Sequence, residues 1–307
     1  MKSTSSGRWQ APQISNEGNV LMDPSGRLTT HMRISITNQC DMACPYCHRE
    51  GHLADRKLLS LQEIRKIVEI AAKWGIHTIK LTGGEPLLRE DIIPIVDSIT
   101  KVEGIREVSI TTNGTHLEQL AHPLKQAGLK RINIGCDALS SSVLKKNVSK
   151  IHKALSAAKD AGFENIKLNM VVLKGLNDHE IDDMIAFARK EHVTLQLIEL
   201  MDADPEFHAK YYVELGDLEK ALASKAMEVN ERKLQARKRY YLDDVVVEVV
   251  RSHSSKFCAH CSKIRVTSDG YFKACLRRED NLVPINNKEI ERNLIEAVRR
   301  RAPYVND

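Results

Sequence analysis

Between Met32 and Met201 six short β-rich runs alternate with longer stretches of helical periodicity, and this alternation restricts the fold more than any other feature. Strands separated by helices must run parallel, and right-handed crossovers fix the direction in which the sheet winds. The β-rich runs are 32–37, 78–82, 107–112, 131–136, 166–173 and 194–200. Helical patterns occupy 91–102, 116–127, 149–161 and 178–190. Another follows Ser60-Leu61-Gln62-Glu63, a capping box whose hydroxyl and carboxylate satisfy the first orphan amides of a helix. Ile64, Ile67, Val68 and Ala71 then share one face. Gly128 and Gly162 follow two of the apolar patterns, where a left-handed cap is favoured. Six such units curl into a partial (βα)6 barrel of the TIM type, with its chemistry at the C-terminal ends of the strands.

After Met201 the rhythm changes. Residues 202–205 read as a turn, 217–226 as a helix, 239–242 and 245–250 as a hairpin around Asp243-Asp244, and 289–301 as a basic helix. The expected class is therefore α/β: a disordered arm at 1–18, a barrel at 19–204 and a C-terminal α+β domain at 205–307. With 46 Lys and Arg against 41 Asp and Glu, the net charge of +5 is too small to indicate nucleic acid and suits an anionic small substrate equally well. No run approaches the ~20 apolar residues of a membrane span, and the first thirty residues lack a secretory segment, so a cytoplasmic location is expected.

Seven cysteines fall as three, one and three: Cys40, Cys44, Cys47; Cys136; Cys258, Cys261, Cys275. In a reducing compartment this clustering argues for metal or redox chemistry rather than disulfides. Cys40-x-x-x-Cys44-x-x-Cys47 follows the first strand, where a parallel barrel places its reactive groups. Three thiolates suit a soft centre, and a cubane held by only three keeps one iron open. The competing reading is structural zinc, which usually brings four protein ligands; His48 is awkwardly adjacent to Cys47. Thr82-Gly83-Gly84-Glu85-Pro86 follows the second strand: two glycines permit close backbone approach, and Glu85 offers a carboxylate for an ammonium group. For Cys258-x-x-Cys261 and Cys275 a zinc knuckle and an iron–sulfur site both fit, and the first cluster tips the choice to iron–sulfur. Cys136 reads as a buried, inert thiol.

Cys40, Cys44 and Cys47 with Tyr46 before the last cysteine resemble the radical S-adenosylmethionine signature. The segment from Phe257-Cys258-Ala259-His260-Cys261-Ser262-Lys263-Ile264-Arg265 through Asp269-Gly270 to Cys275-Leu276 resembles the GTP 3′,8-cyclase family, and the likeness runs from about Asn19 to Asn281. The run Cys47-His48-Arg49-Glu50-Gly51 and the Arg-rich end are similar to its archaeal branch.

The resemblance implies two 4Fe–4S clusters, on Cys40, Cys44, Cys47 and on Cys258, Cys261, Cys275. It implies S-adenosylmethionine on the open iron of the first, contacted by Tyr46, Gly83, Gly84, Glu85, Met201 and the position of Gly135. It implies GTP held by Arg33, Lys80, Thr111, Lys167, Lys263, Ile264 and Arg265, with Arg265 also serving catalysis. An adenosyl radical would remove the ribose 3′ hydrogen, and the resulting carbon radical would attack C8 of guanine in the pathway to molybdenum (or tungsten) cofactor. A low-potential electron donor is implied, and a homodimer is compatible with the family.

Three positions depart from the pattern: Gly135 replaces a serine, Lys263 replaces an arginine, and the sequence ends Ala302-Pro303-Tyr304-Val305-Asn306-Asp307 instead of in a Gly-Gly pair. Two other readings remain at this stage. One is a radical enzyme acting on a peptide or another nucleotide; the other is a non-catalytic iron–sulfur or zinc protein.

Overall fold

The computed structural model describes residues 14–15, 18–49, 58–140, 148–278 and 280–302. Most of the expected arm, Glu50 and Gly51, and 303–307 lie outside the described residues. Strands β1 (His31–Ser35), β2 (Thr78–Thr82), β3 (Glu107–Thr112), β4 (Arg131–Gly135), β5 (Ile166–Val172) and β6 (Thr194–Glu199) pair in parallel, each with the next in sequence. They are the six expected strands. Helices α1 (Leu61–Lys73), α2 (Ile92–Thr100), α3 (Leu117–Gln126), α4 (Val148–Asp160) and α5 (Ile181–Lys190) connect them.

The start of α1 follows from its sequence. Ser60 Oγ accepts from the Glu63 N–H at 3.3 Å, and Glu63 Oε2 accepts from the Ser60 N–H at 2.8 Å, so both halves of the capping box form. Ile64, Ile67, Val68 and Ala71 are buried beneath it, as their spacing requires. Gly128 and Gly162 follow their helices at φ of +91° and +83°, the left-handed geometry that ends a helix without a Cβ clash.

Alternation along the strands divides the barrel into an apolar outside and a polar inside. On β1, Met32 and Ile34 are buried in the core, while His31 and Arg33 line an internal cavity. The same division separates Ile79 and Leu81 from Lys80 on β2, Ile132 and Ile134 from Arg131 and Asn133 on β4, and Leu168 and Met170 from Lys167 and Asn169 on β5. A two-residue period places neighbours on opposite faces of a sheet, so the helices cover aliphatic side chains and the barrel interior holds ionic ones.

Ile14–Ser15 pairs with Gly18–Asn19 in a separate two-stranded sheet, and the other strands of the barrel sheet are β7 (Glu228–Glu231), β8 (Lys238–Leu242), β9 (Val245–Val250), β10 (Lys263–Val266), β11 (Tyr271–Lys273) and β12 (Leu282–Pro284). They extend the barrel sheet from both edges, giving the order β12-β11-β10-β1-β2-β3-β4-β5-β6-β9-β8-β7. β9 runs parallel to β6, and β10 parallel to β1. The hairpin around Asp243-Asp244 forms, with Leu242 opposite Val245 and Asp243 at φ +45°. Around these strands lie α6 (Pro205–Tyr211), α7 (Gly216–Lys225), α8 (Ser255–Ala259) and α9 (Ile290–Arg299). Where the sequence reads as a turn at 202–205, the chain turns and then enters α6, with Asp204 Oδ1 accepting from the Phe207 N–H at 3.0 Å. Among the described residues no helix is long and apolar enough to cross a membrane.

Removing the Ser60 hydroxyl should destabilise the fold by about 1 kcal/mol. In urea titrations Ser60→Ala should lower the midpoint at an unchanged slope; an unaltered midpoint would show that the Glu63 half of the box is a sufficient cap.

Candidate active site

The loop after β1 is pinned from beneath before it reaches its cysteines. The Gly84 N–H donates to Thr37 O at 2.9 Å, and the Glu85 N–H donates to Gln39 O at 2.7 Å. A Cβ on Gly83 would lie 2.5 Å from Thr37 O, and one on Gly84 would lie 2.1 Å from Gln39 O. The glycine pair therefore lets one backbone rest directly on another, the stem of the cysteine loop. Cys40, Cys44 and Cys47 then open on a cavity of about 400 Å³ inside the barrel. The Met42 N–H points to Cys40 Sγ and the Arg49 N–H to Cys47 Sγ, each at 3.4 Å. Burial pushes the Cys40 thiol above its ordinary value.

Glu85 anchors this end of the cavity. Only 1% exposed, it accepts from Thr112 Oγ1 at 2.6 Å, the Asn113 N–H at 2.7 Å and the Leu87 N–H at 3.1 Å. Burial still raises its pKa against these donors, so a cation beside it is favoured. Tyr46 donates its hydroxyl to Asp137 Oδ2, whose other oxygen accepts from the Val171 N–H at 2.9 Å. Burial, then the Asp137 charge, holds the Tyr46 phenol in its protonated form. Asn113 Nδ2 donates to Asp41 at 2.6 Å, tying the cysteine loop to the end of β3.

Below this layer the cavity is strongly cationic. Arg33, Lys80, Arg131, Lys167, Arg232, Arg237, Lys263 and Arg265 line it, against the carboxylates Glu85, Glu107, Asp137 and Glu199. Arg131 takes up Glu107 at 2.6 Å. Behind the wall, Glu248 is fully buried and pairs with Lys167, with Arg237 at 2.8 Å, and with Arg232 and Arg239 at 3.4 Å. Burial opposes ionisation of Glu248, but Arg237, Lys167 and Arg232 outweigh it and hold the carboxyl far below its usual range. Lys80 has Arg131, Arg33, Lys263 and Arg237 as charged neighbours; burial first and these charges second drive its pKa well down, and Lys263 is lowered similarly. The hydroxyl of Thr111 and the carbonyl oxygen of Asn133 are buried without a protein partner. A polyanion with hydroxyl groups would satisfy both the charges and these orphans.

The second cysteine group lies against the same wall. Cys258 is in α8, Cys261 follows it, and Cys275 comes two residues after β11. Arg265 pairs with Lys273 across β10 and β11, and this antiparallel register directs the chain after β11, with Cys275, toward the Lys263 end of β10. Burial raises the Cys261 pKa, but Arg301, Lys263 and Arg265 outweigh it and hold the thiol below its ordinary value, as a thiolate ligand requires.

Of the residues singled out in the sequence, Arg33, Cys40, Cys44, Tyr46, Cys47, Lys80, Gly84, Glu85, Thr111, Gly135, Lys167, Met201, Lys263 and Arg265 all line the one cavity. Gly83 sits behind it on Thr37, and the Ile264 side chain turns into the apolar core, as its place between Lys263 and Arg265 on a strand demands. Cys258, Cys261 and Cys275 do not line the cavity, although Phe257, Lys263 and Leu276 beside them in sequence do. Cys136 is fully buried. Among the described residues no three Cys, His, Asp or Glu side chains are already drawn together as a metal set. The fit of a cluster rests instead on three thiols of one loop, none of them in a disulfide, with N–H groups aimed at two of their sulfurs. Sequence reasoning missed Arg131, Arg232, Arg237 and Glu248. A lone carboxylate in the valine run Val245-Val246-Val247-Glu248-Val249-Val250 was the available signal.

The Radical SAM superfamily matches residues 34–188, and the Molybdenum Cofactor Synthesis C family matches 193–305. In solved structures the fold is shared with Streptococcus suis SuiB bound to precursor peptide SuiA (TM-score 0.68, 15% identity, 89% of this chain and 66% of that one). It is also shared with anSMEcpe with bound AdoMet (TM-score 0.57, 14% identity, 88% and 80%). A probable GTP 3′,8-cyclase of Methanosarcina mazei is 44% identical over 99% of this chain and 96% of its own. One from Methanothermobacter thermautotrophicus is 39% identical over 92% and 98%. The chain belongs to the GTP 3′,8-cyclase family of radical SAM enzymes, a membership that carries a 4Fe–4S cluster and S-adenosylmethionine.

The backbone contact at Gly84 yields a direct test. Gly84→Ala drives a methyl into the carbonyl that precedes Cys40; overpacking costs ~1–3 kcal/mol, so S-adenosylmethionine affinity should fall about 10-fold. Equilibrium binding to the reconstituted protein measures it, and parental affinity would show that the two backbones are free to separate.

Proposed function

We propose that the chain is a GTP 3′,8-cyclase that converts GTP to 3′,8-cyclo-7,8-dihydro-GTP, the opening step of molybdenum (or tungsten) cofactor biosynthesis. The observation that carries this reading is the crowd of basic side chains inside the barrel, among them Lys80, Lys263, Arg33 and Arg265, where burial and neighbouring cations drive the pKa of both lysines down unless an anion is bound. Desolvated cations with other cations for neighbours are costly in an empty site and are satisfied by a triphosphate. A peptide would supply no comparable charge, and a non-catalytic iron–sulfur protein would need no such interior.

Cys40, Cys44 and Cys47 hold the first cluster, and Glu85 receives the ammonium group of S-adenosylmethionine. Cys258, Cys261 and Cys275 hold a second 4Fe–4S cluster beside the substrate. Together with an electron from a low-potential donor, the first cluster and its bound cofactor supply one-electron chemistry, reductive cleavage of the sulfonium and removal of a hydrogen atom from the substrate. The protein's own groups position the reactants: Arg33, Lys80, Lys167, Lys263 and Arg265 hold the nucleotide, Thr111 hydrogen-bonds it, and Tyr46, Gly135 and Met201 line the cofactor's place. The barrel occupies 19–204 and the auxiliary-cluster domain 205–307.

Two experiments test the assignment. Burial pushes Lys167 down to about 8, so its positive charge is present below that pH and lost above it. GTP affinity should therefore weaken as pH rises through about 8, and Lys167→Arg should move the onset to higher pH; a flat profile would remove Lys167 from the site. In anaerobic incubation with GTP, S-adenosylmethionine and a strong reductant, mass analysis should find the cyclised nucleotide. Alanine at Cys258, Cys261 and Cys275 should abolish that product while cofactor cleavage persists. Alanine at Cys40, Cys44 and Cys47 should abolish both. Product formation by the first variant at the parental rate would contradict the placement of substrate beside the second cysteine group.

A further inference from the structure

The link between β7 and β8 contains two successive non-glycine residues in the left-handed region: Gln235 at φ +60° and ψ +22°, and Ala236 at φ +46°. Side chains with a Cβ visit this region singly, and a pair persists only where surrounding contacts impose it. At Gln235 those contacts are visible. The residue is 3% exposed and turns its backbone N–H and both ends of its side-chain amide toward one short segment. Its N–H donates to His260 O at 2.8 Å, its Oε1 accepts from Lys263 Nζ at 2.7 Å, and its Nε2 donates to Cys261 Sγ at 3.9 Å. Lys263 Nζ sits on the amide oxygen, so the amide nitrogen of Gln235 is the end that faces the sulfur.

The target of these contacts is itself held rigid from the opposite side. Arg27 Nη1 donates to Cys258 O at 2.8 Å, and Arg301 donates to Cys261 O. Both arginines are gathered on the buried Asp23, with Arg27 Nε at 2.7 Å and Arg301 Nε at 3.6 Å. Each carbonyl from Cys258, His260 and Cys261 thus meets a donor from elsewhere in the chain, two of them from this clasp. The Cys-x-x-Cys segment cannot rotate to follow its neighbour, and Gln235 acts on a fixed sulfur.

We propose that Gln235 is a positioning residue that couples the second metal centre to the substrate, tuning a ligand sulfur with one end of its amide and aiming Lys263 into the cavity with the other. The inference rests on the reading that Cys258, Cys261 and Cys275 hold an iron–sulfur cluster. An N–H donor on a ligand sulfur stabilises the more negative, reduced cluster and so raises its reduction potential. The acceptor on Lys263 keeps that side chain from folding back on Cys261. A residue present only to make the turn would be best replaced by glycine; Gln235 gives up that backbone ease for two side-chain contacts.

The test uses Gln235→Gly, which suits the left-handed backbone, and Gln235→Glu, which retains an acceptor for Lys263 and has no donor for the sulfur. Both are made in full-length protein, alone and with Cys40, Cys44 and Cys47 replaced by Ala so that only the second cluster remains. Iron is assayed first, against a variant with Ala at Cys258, Cys261 and Cys275. Loss of about half the iron there establishes the cluster, whereas parental iron content would sink the cluster reading itself rather than the role of Gln235. With the cluster established, spectroscopically monitored redox titration should give a more negative midpoint in both Gln235 variants. Gln235→Gly should keep its iron and melt no lower than the parent, while GTP affinity drops about 10-fold through the misdirected Lys263. Iron-replete variants with the parental midpoint and parental GTP affinity would overturn the proposal.

Discussion

Glu248 is buried in the middle of β9, and Lys167, Arg232, Arg237 and Arg239 converge on it while Gln196 donates to its second oxygen at 2.9 Å. A barrel interior of this kind is hard to fold, because each cation removed from water carries a desolvation cost. One carboxylate shared among several cations offsets much of that cost, while at Lys80 and Lys263 burial and neighbouring cations still drive the pKa well down. Glu248 also joins the two halves of the chain: it belongs to β9, yet its partners include Lys167 on β5 and the link that carries Arg232 and Arg237. Removing it would strand several buried charges at once, which is far costlier than losing a surface pair.

The geometry follows from β1. Its C-terminal end leads into the first cysteine loop, and its other edge pairs with β10, which carries Lys263 and Arg265 directly after Cys258 and Cys261. One five-residue strand therefore sets the separation between the two sulfur sites. The glycine pair at 83–84 presses the first loop onto its stem, and the Asp23 clasp holds the second. Arg33, Lys80, Arg131 and Lys167 line the cavity from strands whose other faces are locked under helices. A cavity built this way is preorganised, with its charges placed before any ligand arrives.

The barrel was legible because its signals are long and mutually consistent: aliphatic alternation, a complete capping box at Ser60 and glycines just past the helices. β10 to β12 were not, since runs of three or four residues carry too little periodicity to distinguish from loop. The six clustered cysteines were plain from spacing and resemblance. The buried cations were harder, because Arg131 or Arg237 in a sequence looks like any solvated charge. What distinguishes Arg131-Ile132-Asn133-Ile134 is the same alternation seen in Met32-Arg33-Ile34, which places Arg131 and Asn133 on the inner face. Ile264 differs from its neighbours: the resemblance assigns all three residues of Lys263-Ile264-Arg265 to the substrate, while the strand aims only the outer two side chains into the cavity and turns Ile264 into the core.

The interior of the barrel is built around a polyphosphate. The most direct measurement compares the equilibrium affinity of GTP with that of guanosine for the reconstituted protein under anaerobic conditions. Charge-assisted hydrogen bonds contribute about 1.5–3 kcal/mol each, so two of them already predict that GTP binds ~100-fold or more tightly than guanosine. Equal affinities would contradict the account, because the buried cations would then have some other purpose.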